Sequence, residues 1–276
     1  MKDRPAYNIL RNALQSGLIQ PGWTVIESSS GNMGIGLAQA CLYFDLNLIC
    51  VIDPKTTRQN AEILQAYGAR TELVSEPDEI TGEYLPARIQ RVHSLMKSMD
   101  NCWWADQYSN IDNAKAHYQT MDEILQATNG MLDYLFCATS TCGTLRGCAD
   151  YLRDKGLAAR VIAVDAVGSV IFQGVPQTRL VPGHGASIRP ELFNEHLAER
   201  HIHVSDRECV VGCRVLLRRE AILAGGSSGA IITALFKMRN DIDNEATCVA
   251  ILPDRGGALF GDDLLGRMGR APFRQA

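Results

Sequence analysis

The sequence lacks the features that mark several large classes of protein. No Cys-x-x-Cys pair occurs among its nine cysteines, whose number is odd and whose spacing is irregular, so we expect reduced thiols rather than disulfides. No Lys or Arg block accompanies the net charge of −4, which argues against a nucleic-acid partner. No apolar run approaches the ~20 residues that cross a bilayer, and no signal peptide follows Met1. A cytoplasmic protein without membrane association is therefore expected.

A metal site is not expected either. Cys209 and Cys213 lie near His201 and His203, which is the residue chemistry that zinc prefers. Their spacing matches no paired zinc-ligand pattern, so we predict no metal.

Segments whose apolar residues recur at helical spacing alternate with short apolar segments typical of strands along the 276 residues. Helices are predicted over 6–17, 34–44, 57–67, 85–99, 113–128, 145–155, 206–224 and 228–238, and strands over 23–27, 47–52, 70–74, 134–138, 160–164 and 246–252. Such alternation with apolar strands indicates an α/β fold with mostly parallel sheets covered on both faces. We expect a smaller N-terminal domain (1–112) and a larger C-terminal domain (113–276), and a functional loop over 168–189.

A polar loop follows the first predicted strand. Ser28 to Gly34 (SSSGNMG) combines hydroxyls, an amide and backbone N–H groups at the start of a helix. A helix start attracts anions through its dipole and its unpaired N–H groups, and a substrate carboxylate suits this one. An ordinary N-capping turn is the equal alternative. The glycine spacing does not match a dinucleotide-binding loop.

A second loop of this kind follows the strand at 134–138. Ser140 to Thr144 (STCGT) places three hydroxyls and Gly143 at a helix start, an arrangement that suits a phosphate dianion. No Gly-Lys-Ser/Thr sequence follows, so nucleotide hydrolysis is not predicted. Read in isolation, the segment is better explained as an ordinary serine/threonine cap.

Four motifs in order give the chain a family resemblance: Lys2-Asp3-Arg4, Ser30 to Gly34, Gln107 to Asn110 and Ser140 to Thr144. Together they resemble the fold-type II pyridoxal phosphate enzymes of the cysteine synthase and cystathionine β-synthase family. The resemblance implies two three-layer αβα domains, a homodimer and a pyridoxal 5′-phosphate cofactor. It implies that Lys2 binds the cofactor covalently and acts as the catalytic base. The other implied cofactor-binding residues are Asn32, Ser140, Thr141, Cys142, Gly143, Thr144 and Asp254; the implied substrate-binding residues are Ser29, Ser30, Asn32, Met33, Gln107 and Arg189.

Three further stretches resemble one branch of that family: Tyr84 to Ile89, Val164 to Phe172 and Pro182 to Pro190. This branch is the siderophore-locus synthases that join O-phospho-L-serine to L-glutamate as a step toward 2,3-diaminopropionate. Arg189 stands where a typical cysteine synthase has an apolar residue, and a cation there fits an anionic substrate; an exposed surface arginine is the alternative. A cysteine synthase using O-acetylserine or O-phosphoserine with sulfide is the rival enzyme. An inactive remnant is the rival from another class.

The sequence departs from the family at two places. Family members carry a few dozen residues before the lysine segment, so the resemblance implies that the first domain is truncated at its N-terminus. The alternative to a catalytic role is that Lys2 is merely a solvated lysine at the N-terminus. Asp254 and Arg255 stand where many members have a neutral hydroxyl beside the pyridine nitrogen; an aspartate there favours a protonated ring and an arginine disfavours it. The identity of the pyridine partner therefore stays open.

Overall fold

Helices and strands alternate along the chain in a computed structural model that describes residues 2–172 and 175–254. The helices are α1 (Asp3–Gln15), α2 (Asn32–Tyr43), α3 (Arg58–Ala66), α4 (Tyr84–Ser98), α5 (Ile111–Ala127), α6 (Gly143–Asp154), α7 (Asp206–Glu220) and α8 (Gly226–Met238). The strands are β1 (Thr24–Ser28), β2 (Asn47–Ile52), β3 (Arg70–Leu73), β4 (Cys102–Trp104), β5 (Tyr134–Ala138), β6 (Arg160–Ala166), β7 (Arg200–Val204) and β8 (Cys248–Ala250). None of the helices in this part of the chain is both long and apolar enough to span a bilayer.

The described residues form two compact units. The first unit comprises residues 2–122, 141–151 and 187–194, and the second comprises 123–140, 152–172, 175–186 and 195–254. Each contains a four-stranded sheet, ordered β3-β2-β1-β4 in the first and β7-β6-β5-β8 in the second, and every strand pair is parallel. The predicted α/β class with parallel sheets is thereby confirmed. The expected boundary between residues 112 and 113 lies within α5 and, as a statement about domains, stays a prediction.

The sheet of the first unit is covered on both faces. Leu10 of α1 and Leu37 of α2 belong to an apolar cluster on one face, and Val92 of α4 packs with Ile26 and Val51 on the other. Successive strand residues point to opposite faces, so the central residues of β1 and β2 are apolar toward both layers of helices, as the sequence predicts. The sheet therefore forms the middle of three layers, and its loops emerge at its edges.

The two strands that the sequence analysis missed are edge strands. β4 has three residues and lies at one end of the first sheet, and β7 lies at one end of the second. In β7, Arg200 and His201 are exposed. The three residues of β4 are too few to form a pattern, and charged and histidine residues interrupt the apolar pattern of β7.

Helices α7 and α8 approach each other within the second unit through bare glycine backbone. A Cβ atom added at Gly212 would lie 2.0 Å from the carbonyl oxygen of Gly229, and one added at Gly229 would lie 2.1 Å from the carbonyl oxygen of Cys209. Both distances are far below a van der Waals contact, so the two backbones touch where both residues lack a side chain.

We therefore expect Gly229→Ala to destabilise the second unit. Alanine is intrinsically better than glycine in a helix by up to ~1 kcal/mol, but overpacking at rigid backbone typically costs ~1–3 kcal/mol. The measurement is the free energy of unfolding in urea. Val211→Ala, on the exposed face of α7, is the control and should change stability by less than ~0.5 kcal/mol. A Gly229→Ala protein as stable as the parent would contradict this close approach.

Candidate active site

Lys2 is held at the start of α1 within the first unit. Its carbonyl oxygen accepts the hydrogen bond from the backbone N–H of Ala6 (3.1 Å), so it participates in the first turn of the helix. A Cβ atom added at Gly36 of α2 would lie 3.0 Å from the same carbonyl oxygen. The backbone of Lys2 is therefore fixed by its own helix and by the close passage of α2.

The side chain of Lys2 reaches the loop before α6. Its Nζ donates a hydrogen bond to Oγ1 of Thr141 (3.2 Å). Burial lowers the pKa of this amine to about 8, although negative charge on Cys142 and Glu27 would oppose the shift. A lysine with a pKa near neutrality is partly deprotonated and can act as a nucleophile or a base. The solvated-lysine alternative does not describe this half-buried side chain.

The loop from Thr141 to Thr144 has the backbone of an anion-binding turn. Cys142 adopts a left-handed conformation (φ 62°) and directly precedes Gly143, the first residue of α6. A Cβ atom at Gly143 would lie 2.2 Å from Oδ1 of Asn113, so only glycine fits. Its N–H and those that follow are the unpaired donors of a helix start, where a phosphate group binds favourably.

Buried side chains from α5 support this loop. Nδ2 of Asn113 donates to Oγ1 of Thr141 (3.2 Å) and to the carbonyl oxygen of Gln107 (2.7 Å). Oγ1 of Thr144 lies 3.1 Å from Nε2 of His117. Burial, with the positive charges of Lys2 and Arg4, lowers the pKa of His117 to about 3, so its ring is neutral at physiological pH. A neutral ring can either donate to or accept from the Thr144 hydroxyl.

These residues fit pyridoxal phosphate. The backbone of Gly143 is bare, because a side chain there would overlap Oδ1 of Asn113. The lysine amine can bind the cofactor's aldehyde, and the start of α6 offers N–H donors for its phosphate. Ser140, the first residue of the predicted phosphate loop, belongs to the second unit, and its role stays a prediction.

The loop from Ser28 to Gly34 contains its own helix cap. Oγ of Ser29 accepts a hydrogen bond from the N–H of Gly34 (2.9 Å), so the capping alternative describes Ser29 correctly. Met33 is buried in the apolar core, Ser30 is half-buried, and Asn32 is exposed at the first position of α2. A hydroxyl that accepts one bond can still donate another. The proposed carboxylate role of Ser29, Ser30, Asn32 and Met33 therefore stays a prediction.

Gln107 is buried at the same sheet edge and contacts a residue that the sequence analysis missed. Its Nε2 lies 3.4 Å from Oε1 of Glu27 and 3.3 Å from the carbonyl oxygen of Ser28. Burial raises the pKa of Glu27 to about 8, and the negative charge of Asp106 adds to the rise. An acidic residue in the apolar strand sequence TVIE was the available signal, since a buried carboxylate needs a specific reason to be there.

Asp254 has a defined structural partner in the second unit. Its carboxylate accepts hydrogen bonds from Oγ of Ser228 (2.5 Å) and from the backbone N–H of Ser228 (3.2 Å), and it therefore caps the first turn of α8. A Cβ atom at Gly225 would lie 2.3 Å from Oδ2 of Asp254, so the fit is tight. Its proposed role beside the pyridine ring stays a prediction, and Arg255 lies outside the described residues.

Arg189 is exposed and stacks on an aromatic ring of the first unit. Its guanidinium carbon lies 4.7 Å from the ring centroid of Phe193, a cation–π contact. Among the described residues, no group of three His, Cys, Asp or Glu side chains is arranged to hold a metal ion.

The family described as "Pyridoxal-phosphate dependent enzyme" matches residues 1–254. The chain belongs to this family. It is thus a pyridoxal phosphate-dependent enzyme, and the predicted cofactor is confirmed at the level of the family. The match covers both units, so the lysine segment and the two loops that are predicted to bind anions lie within the sequence that the family shares.

Solved structures show the same fold. An O-acetyl serine sulfhydrylase isoform 3 from Entamoeba histolytica is 30% identical, with a TM-score of 0.88 over 99% of this chain and 81% of that one. An O-acetylserine-dependent cystathionine β-synthase from Helicobacter pylori is 27% identical, with a TM-score of 0.87 over 94% of this chain and 84% of that one. An O-ureido-L-serine synthase is 23% identical, with a TM-score of 0.88 over 99% of this chain and 85% of that one, and shares the fold.

The lowered pKa of Lys2 predicts selective labelling by the cofactor. At pH 8 about half of a lysine with this pKa is neutral, whereas an ordinary lysine with a pKa of about 10.4 is less than ~1% neutral. We expect pyridoxal phosphate followed by borohydride to modify Lys2 first, with labelling that rises as the pH approaches 8. Peptide mass spectrometry gives the site.

Two variants control this labelling. Lys2→Arg should remove the specific label, and Lys115→Arg, at an exposed position of α5 in the same unit, should leave it unchanged. Equal labelling of Lys2 and the exposed lysines would contradict the buried amine.

The cap at α8 predicts a stability difference between two substitutions of Asp254. Asp254→Ala leaves the N–H of Ser228 without its acceptor and should lower the free energy of unfolding by ~1–2 kcal/mol. Asp254→Asn retains a side-chain oxygen and should lose less. Urea unfolding measures both, with Asp241→Ala, an exposed ion-pair residue, as the control. Equal losses for the two Asp254 variants would show that the carboxylate does not act as a cap.

Proposed function

We propose that the protein catalyses a β-replacement that joins O-phospho-L-serine to L-glutamate and forms N-(2-amino-2-carboxyethyl)-L-glutamate. This product would be a precursor of 2,3-diaminopropionate for siderophore or peptide biosynthesis, made by a cytoplasmic homodimer. The observation that carries the proposal is the half-buried Lys2, whose amine has a pKa of about 8 and contacts Thr141 in the turn that is proposed to bind phosphate. Structural similarity to enzymes named for O-acetylserine supports β-replacement chemistry.

Lys2 is proposed to move the proton at the substrate's Cα atom. When bound, pyridoxal phosphate supplies an aldehyde for amino groups and a ring that accepts electron density as the Cα–H bond breaks. The Nζ of Lys2 takes that proton and later returns it to the product. A base is most effective when its pKa lies near the working pH, and burial brings the pKa of this amine to about 8.

The exchange at Cβ balances without a further reactant. Phosphate leaves with the electron pair of the C–O bond, and the amino nitrogen of glutamate forms the new C–N bond and releases a proton to solvent. The α-carboxylate of phosphoserine is proposed to bind at Ser29, Ser30, Asn32, Met33 and Gln107. The N–H groups of the Thr141–Thr144 turn, with Ser140, are proposed to hold the cofactor's phosphate.

Arg189 is proposed to bind the additional negative charge of these substrates. The segment that carries it is held to the first unit, because the N–H of Leu192 donates to the carbonyl oxygen of Tyr108 (3.2 Å). Tyr108 directly follows Gln107, so the backbone of the Arg189 segment is bonded beside a proposed carboxylate-binding residue. A guanidinium pairs with phosphate or carboxylate in a bidentate manner that an apolar residue cannot provide.

A cysteine synthase is the second candidate. The similarity to the O-acetyl serine sulfhydrylase of Entamoeba histolytica, at 30% identity over almost the whole chain, favours it. Here a small sulfur nucleophile would replace glutamate, and Arg189 would be an ordinary surface residue.

Product analysis with paired substrates tests these candidates. We expect turnover of O-phospho-L-serine with glutamate to exceed turnover with sulfide, because sulfide lacks the carboxylates that a cation would bind. Equal or faster reaction with sulfide would favour the cysteine synthase. Absence of product with every β-substituted serine would favour the inactive remnant.

The Arg189→Leu variant tests the proposed charge contact. Loss of a charged hydrogen bond worth ~1.5–3 kcal/mol lowers kcat/KM by about tenfold or more, so we expect such a fall with phosphoserine and glutamate. The reaction of neutral O-acetylserine with sulfide should change little. Arg58→Leu, at an exposed position of α3, should affect neither reaction.

A further inference from the structure

Glu27 has an unusual position for a carboxyl group. It lies at the penultimate residue of β1 and is only 1% exposed. Its Oε1 accepts from the backbone N–H of Ser28 (3.0 Å) and from Nε2 of Gln107 (3.4 Å), and its Oε2 accepts from the backbone N–H of Gln107 (3.4 Å). Both oxygens therefore face donors, and two of the three donors belong to Gln107.

The contacts of Gln107 determine which way its amide points. Nε2 lies near Oε1 of Glu27 and the carbonyl oxygen of Ser28, and a carbonyl oxygen can only accept hydrogen bonds. The amide nitrogen must face these two atoms, so both of its hydrogens are engaged within the protein. To hold a substrate carboxylate, as proposed above, Gln107 has to withdraw one of them.

Withdrawing this hydrogen costs little hydrogen-bond energy, but it brings two negative charges together. Distances of 3.3–3.4 Å lie beyond the usual range for N–H···O bonds, so each bond is weak. The substrate carboxylate, however, brings a second negative charge close to a buried carboxylate that loses a donor at the same moment. Like charges that share a buried site favour protonation of one of them.

The charged and titratable groups around Glu27 come from three other segments. Asp106, after β4, adds negative charge and raises the pKa of Glu27 together with burial. Lys2, before α1, is positive when protonated and interacts with Glu27. Cys50 of β2 is neutral at physiological pH, because burial and the charge of Glu27 raise the pKa of its thiol to about 12. The pKa of Glu27 itself is about 8, so the group is ionised above pH 8 and can take up a proton in that range.

We propose that Glu27 is a positioning residue that holds the Gln107 amide before substrate binds and takes up a proton when the substrate's α-carboxylate draws that amide away. The proton comes from solvent and no other bond changes. Once protonated, the carboxyl can donate to Oε1 of the turned Gln107 amide, which keeps the amide hydrogens toward the substrate. This inference rests on the proposed function, because it assigns Gln107 to the carboxylate site.

Calorimetry of the holoenzyme with L-alanine tests the proposal. L-Alanine has the amino and carboxyl groups of the substrate and no leaving group, so it binds without turnover. Titration at pH 9, where most of a group with a pKa of about 8 is ionised in the free protein, in two buffers of different ionisation enthalpy gives the number of protons taken up on binding. We expect the parent protein to take up more protons than Glu27→Gln, with a difference of up to about one for each alanine bound.

The pH dependence of binding gives an independent readout. If binding is linked to protonated Glu27, the apparent Kd of the parent rises about tenfold per unit above pH 8, the range in which Glu27 loses its proton. Glu27→Gln should lose this added dependence. Glu62→Gln, at an exposed position of α3, is the matched control and should retain both the proton uptake and the pH profile of the parent.

A second variant decides the matter if Glu27→Gln fails to fold. Gln107→Leu keeps Glu27 and removes the amide, so binding should weaken and the linked proton should disappear. Proton uptake and pH profiles that match the parent in either folded variant would overturn the proposal. If the proposal about Glu27 fails in this way but the enzyme still forms product from O-phosphoserine, the proposed function stands. If the parent protein binds alanine with the linked proton but turns over no β-substituted serine, only the proposed function is contradicted.

Discussion

The parallel register of β1 and β4 is the constraint on which the candidate site in the first unit depends. Ile26 pairs with Trp104, so the chain leaves both strands at the same edge of the sheet. Glu27 and Ser28 at the end of β1 therefore meet Gln107, which follows β4. From there Asn113 links the carbonyl oxygen of Gln107 to the Thr141 hydroxyl that Lys2 also contacts. A shift in that register would separate all of these groups at once.

Burial shifts the pKa values of the acidic and the basic groups in opposite directions. It disfavours the charged form of any ionisable side chain, so it lowers the pKa of Lys2 and raises that of Glu27, and both reach about 8. The same effect keeps His117 neutral behind Thr144. A site built in this way contains an amine that can lose a proton and an acid that can gain one near neutral pH. Neither property belongs to lysine or glutamate in water.

Local sequence patterns predict the α/β class with parallel sheets, and the structure confirms it. Gly143 and the hydroxyls around it predict an anion-binding turn, which stays a prediction; the structure shows that glycine is required there, since a side chain would overlap Asn113. Glu27 was missed because one acidic residue in an apolar strand looks like the end of that strand. β4 was missed because it has only three residues, and β7 because Arg200, His201 and His203 interrupt its apolar pattern.

By itself, the sequence determined the class of fold, the order of the polar loops and the family, because apolar periodicity and short motifs depend on neighbouring residues. Tertiary structure decided which side chains meet. The contact of Lys2 with Thr141 spans 139 positions of the chain and that of Gln107 with Glu27 spans 80, and no local pattern encodes such distances. It also decided that Asp254 caps α8 and that Lys2 is partly deprotonated near neutral pH, because hydrogen-bond partners and desolvation exist only after the chain has packed.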